Sequence, residues 1–74
     1  MNKCKVQLHG GIEDGFEGYK PIIDLPGKFP LLEVKGATRN RRYIYQARSF
    51  LDGKPDDTPL VMDFIQILNR EDEL

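Results

Sequence analysis

The chain has 74 residues, 39% of them hydrophobic, no tryptophan, and a formal charge of −1. That length supports one domain, residues 1–74, near the lower edge of what folds alone, and a single cysteine excludes an internal disulfide or a thiolate zinc site. No apolar run approaches the roughly 18 residues of a membrane helix, and the opening MNKCKVQLHGG lacks the apolar core of a secretory leader, so the expectation is a soluble cytoplasmic protein with no membrane association.

Residues 3–8, KCKVQL, alternate, with Cys4, Val6 and Leu8 on one side and Lys3, Lys5 and Gln7 on the other, the pattern of a half-buried strand. His9-Gly10-Gly11 ends it, and residues 10–19, with four glycines and three acids, read as a loop with Ile12 and Phe16 turned inward. Residues 20–25, KPIIDL, suit a short strand that Pro21 confines to a start or an edge. Pro26-Gly27 is a turn dipeptide.

Residues 31–37 and 41–50 read as two strands of a hairpin joined by Thr38-Arg39-Asn40. The second strand sets Ile44 and Phe50 on one face and Tyr43, Tyr45, Ala47 and Ser49 on the other, which suits a central position. Gly36 is a candidate bulge. Residues 52–59, DGKPDDTP, form a loop. The segment LVMDFIQILNR then fits a helix, because Leu60, Val61, Phe64, Ile65, Ile67 and Leu68 share one stripe. Thr58 is placed to cap it, Pro59 suits its first turn, and Asp56 and Asp57 complement its positive end. The fold class expected is therefore α+β: an antiparallel sheet of about four strands with a C-terminal helix packed on one face. The alternative is an all-β barrel or roll with residues 60–68 as a fifth strand.

Charge is unevenly distributed along the chain. Residues 34–51 carry Lys35, Arg39, Arg41, Arg42 and Arg48 with no acid, whereas residues 52–74 carry seven acids against Lys54 and Arg70. Four of the five arginines fall within GATRNRRYIYQAR, residues 36–48.

Catalytic chemistry finds little to use. HGGIEDGFEG lacks the spacing of a dinucleotide fingerprint, the Lys-Ser/Thr of a phosphate loop and the alternating oxygens of a calcium loop. Cys4 and His9 are five residues apart on one strand, roughly 16 Å and on opposite faces, too far for a nucleophile and its base. Ser49 is the only serine and no second histidine exists for a hydrolytic triad. The chain is read as no enzyme, with no cofactor and no metal.

What remains is the basic, aromatic hairpin. Arg39, Arg41, Arg42, Tyr43, Tyr45 and Arg48 are the candidate binding residues, since arginine and tyrosine are favoured at interface centres. The function expected is a small non-enzymatic protein-interaction module that self-associates as a homo-oligomer. The alternative is a weak single-stranded nucleic-acid binder using the same residues for phosphate contacts and base stacking. Exposed ion pairs are worth only about 0–1 kcal/mol, so at least two of Arg41, Arg42 and Arg48 are expected to stand without an acidic partner in their own chain.

Overall fold

The computed structural model describes residues 3–36, 41–55 and 57–69, and within them every regular element is a strand. β1 is Lys3–His9, β2 Glu17–Pro21, β3 Leu31–Lys35, β4 Arg41–Ala47 and β5 Leu60–Asn69. They form one sheet in the order β2-β1-β5-β4-β3. Strands β1 and β2, β3 and β4, and β4 and β5 pair antiparallel, whereas β1 and β5 run parallel with Val6 opposite Leu60. The two edge strands also meet. Ile23, just past the end of β2, exchanges backbone hydrogen bonds of 2.8 and 2.9 Å with Leu31 at the start of β3. The sheet is rolled almost shut, and an up-and-down roll with an odd number of strands must bring its first and last strands together in parallel.

This arrangement corrects the expected α+β fold: residues 60–69 are a strand, the third of five across the sheet, and no helix occurs among the described residues. The all-β roll is the reading that fits. The helical stripe has a physical source in the register. Ile44 pairs with Gln66 but Tyr45 with Phe64, so Ile65 is an extra residue, a bulge. Leu60, Met62 and Phe64 face inward, and after the bulge Ile67 takes the inward place opposite Tyr43. With the bulge, inward positions 60, 64 and 67 fall at i, i+4 and i+7 and imitate helical spacing, while Val61, Ile65 and Ile67 suit a pleated surface. Thr58 does not cap a helix; its amide donates to the Pro55 carbonyl in a turn.

Smaller differences lie at element ends. β2 begins at Glu17, inside the stretch read as loop, and stops at Pro21, leaving Ile23 only the bridge to Leu31. The hairpin strands end at Lys35 and Ala47, and its connection, Thr38-Arg39-Asn40, lies outside the described residues. Gly36 is not a bulge: a Cβ there would stand 2.7 Å from Cε1 of Tyr43, so glycine admits the ring.

The core is the inner face of the roll. Val6 and Leu8 of β1, Leu32 and Val34 of β3, Tyr45 and Ala47 of β4, and Leu60 and Met62 of β5 form one cluster, joined by Phe16, Ile22 and Leu51 from the loops. Tyr45 carries a hydroxyl into this cluster and has partners for it: it donates to the Gly10 carbonyl at 2.7 Å and accepts from the Glu13 amide at 3.0 Å. The loop after β1 is thereby tied across one mouth of the roll. Gly11 is required there, since its φ is +69° and a Cβ would lie 2.7 Å from the Tyr45 hydroxyl.

β1 stops at His9, opposite Asp63, but β5 continues to Asn69. Beyond that level β3, β4 and β5 project as a three-stranded ribbon. The molecule is accordingly long for its size, 41 Å by 27 Å by 20 Å.

Candidate functional site

The ribbon holds most of the arginine and tyrosine residues singled out above, and β4 places them on alternating faces. Tyr45 belongs to the core and is fully buried, so it has no face to offer a base or a partner. Tyr43 is half-buried on the same face, 6.0 Å from the Phe64 ring. Arg42 lies on the Ile44 face, 3.7 Å from Glu33 of the neighbouring β3. Arg48, just past β4, reaches Asp63 of β5 with two hydrogen bonds of 2.8 and 2.9 Å. That fork holds the Asp63 carboxyl below its usual range. Arg41 is exposed and donates to the side-chain oxygen of Asn69 at 3.3 Å. Arg39 lies outside the described residues.

Two of the three arginines expected to be largely unpaired are therefore engaged by acids of their own chain, and among the described residues only Arg41 lacks one. The reason is cross-strand register, which sets Glu33 and Asp63 on the same outer face as Arg42 and Arg48. The basic and acidic blocks of the sequence meet in the sheet.

The opposite end of the molecule carries features that the sequence left inside loops. Phe29 and Phe50 are both exposed, yet their rings pair at a centroid distance of 4.5 Å, with exposed Leu25 nearby in the same loop. A recess of about 220 Å³ beside them is lined by residues 24–28 and Phe50, Leu51 and Asp52. Leu51 also borders a larger recess of about 470 Å³, whose other walls are Lys3, Cys4, Lys5, Tyr19 and Lys54. Among the described residues no carboxylate lines it. Apolar residues within turn-rich stretches, LPGKFP and SFLDGKP, were the sequence signal for this end.

Cys4 packs against the core, and burial pushes its thiol up, only partly offset by the nearby Lys54 ammonium. It is a poor nucleophile there. His9 sits at the far end of the same strand, its ring 3.4 Å from the Gln7 side chain. Among the described residues no set of His, Cys, Asp or Glu converges as a metal site, and no helix is long and apolar enough to cross a membrane.

No protein-family model, curated protein or solved structure matches this chain.

Proposed function

We propose that the chain is a small non-enzymatic protein-interaction module that associates with copies of itself. The observation that carries this reading is where the exposed apolar side chains gather. Leu25, Phe29 and Phe50 stand together at the loop end, and Ile65 and Ile67 on the ribbon. Single exposed apolar residues are ordinary, but an exposed phenylalanine pair, its rings in tilted contact, is a feature of contact surfaces. A roll of this size has few apolar residues to spare from its core, so their cost in the monomer is recovered when a partner covers them. Arg41 and Tyr43 flank the ribbon end and complete its surface with residue types favoured in interfaces.

The nucleic-acid alternative loses support from the same geometry. With Arg42 and Arg48 engaged and Tyr45 buried, Arg41 and Tyr43 are what the described hairpin offers to a strand, too few contacts for appreciable affinity.

Light scattering over a range of protein concentrations tests the proposal. The apparent mass is expected to rise with concentration, and Phe29→Ser with Phe50→Ser to suppress the rise while circular dichroism keeps the β signal. A wild type that stays strictly monomeric at high concentration and low salt removes self-association from the reading.

A further inference from the structure

We infer that the lysine-lined recess at the start of β1 receives the acidic segment following β5, Glu71-Asp72-Glu73, from a second copy of the chain. The inference deepens the self-association reading and rests on it.

The recess gathers three cations around one opening and has no acid on its walls among the described residues. Lys54 is held in position, its ammonium donating to the carbonyls of Pro55 and Thr58 and keeping one donor to spare. Lys5 is 4.0 Å from Glu17, at the outer limit of an ion pair. Lys3 has no ion pair among the described residues. Like charges sharing a concave, partly apolar wall raise the local potential and draw an anion in. The larger recess, not the smaller one with Asp24 and Asp52 on its wall, is the one that suits carboxylates.

The backbone at this place also has room for an extended segment. β5 begins opposite Val6, so Lys3 to Lys5 have β2 on one side and the recess, not a strand, on the other. A chain laid along such an edge meets main-chain groups as well as the lysines. Tyr19 and Leu51 supply apolar walls.

Distance decides which copy supplies the segment. β1 and β5 are parallel, Lys3 lies three residues before the Val6–Leu60 level, and Asn69 lies nine residues beyond it. Twelve residues at ~3.3 Å each separate the recess from the end of β5 by roughly 40 Å, in keeping with the 41 Å length of the molecule. Glu73 follows Asn69 by four residues and reaches at most about 14 Å further from it. The segment cannot return to its own recess, but in an antiparallel pair of molecules each segment falls at the other's recess, a closed arrangement that satisfies both contacts. The ribbon that leads to the acids presents Ile65 and Ile67, and the recess shares Leu51 with the smaller recess walled by Phe50, so apolar surface is matched along with charge.

The test uses two charge-reversed full-length chains, Lys3→Glu/Lys5→Glu/Lys54→Glu and Glu71→Lys/Asp72→Lys/Glu73→Lys, in sedimentation velocity at about 30 mM and about 300 mM salt. Wild-type association is expected to weaken by about tenfold at the higher salt, each variant alone to be monomeric, and the equimolar mixture to regain association, since reversed recess and reversed segment again attract. A labelled peptide of residues 66–74 is expected to bind the wild type and not the lysine variant. Association indifferent to salt and to lysine reversal overturns this pairing while leaving the self-association reading in place. A wild type that is monomeric throughout removes both. Binding of inorganic phosphate or an oligonucleotide in the recess, with none of the peptide, assigns the recess to another anion and overturns the inference.

Discussion

The rolled body and the projecting ribbon are parts of one sheet, and β5 runs through both, yet they treat the same residue types in opposite ways. In the body, Leu60 and Met62 are 1% and 0% exposed; in the ribbon, Ile65 and Ile67 are each 46% exposed. The side chains are equally apolar. What differs is what lies beside and across them: β1 pairs with β5 only as far as Asp63, and the loop tied to Tyr45 covers the mouth at that level. Beyond it Leu32, Val34 and Tyr45 of the neighbouring strands are still buried, but Ile65 at the bulge and Ile67 farther along β5 are left half exposed. Pairing satisfies a backbone without burying a face, and the surplus apolar surface becomes available to a partner. The ribbon's charges follow the same logic, with Glu33 and Arg42 facing each other on the outer surface.

If burial and not pairing holds the fold, truncation separates the two regions most sharply. Leu8→Ala or Met62→Ala in the body is expected to cost about 2–5 kcal/mol, enough to unfold much of a domain this small. Ile65→Ala or Ile67→Ala is expected to stay within about 1 kcal/mol, as half-exposed side chains lose less. Urea unfolding of the four variants decides it, and equal losses in both regions would erase the distinction.

The tie between Tyr45 and the loop is the next point at which the comparison breaks. Tyr45→Phe leaves the Gly10 carbonyl and Glu13 amide without their partner, with an expected loss of about 1–2 kcal/mol and faster amide exchange at Glu13. Tyr43→Phe in the ribbon, where no such tie exists, is expected to change neither. Burial raises the Tyr45 pKa above its ordinary 10.0. A group whose folded value is raised stabilises below its unfolded value and loses that contribution as pH climbs through the folded one. Alkaline unfolding should therefore set in above about pH 10, with a late phenolate absorbance step that Tyr45→Phe removes.

The smallest effect belongs to the junction between body and ribbon, where Arg48 grips Asp63. The arginine holds the Asp63 carboxyl below its ordinary 3.8, so its contribution is present above that value and is lost as pH falls through the depressed one. Asp63→Asn is expected to flatten the acid limb of stability below about pH 4 without altering the neutral plateau beyond a small offset. An acid limb identical to the wild type's would mean that the pair adds nothing in solution.

Local pattern alone identified the alternation of Cys4, Val6 and Leu8 and the pairing of the segments at 31–37 and 41–50, because period-two spacing reports the pleat directly; it put Tyr43, Tyr45 and Ala47 on one face without saying that this face turns inward. Three things were not legible there. The strand state of residues 60–69 depended on vacant edges of β1 and β4 waiting on either side, and the bulge at Ile65 disguised its period. The pairing of Arg42 with Glu33 and Arg48 with Asp63 depended on register between strands, which no local pattern encodes. The grouping of Phe29 with Phe50, and of Lys3 and Lys5 with Lys54, joined loops far apart in the chain. Sequence determined which faces are apolar and where the charges sit along the chain; only the rolling of the sheet decided which of them meet, since contact between distant residues is set by topology and register, not by composition.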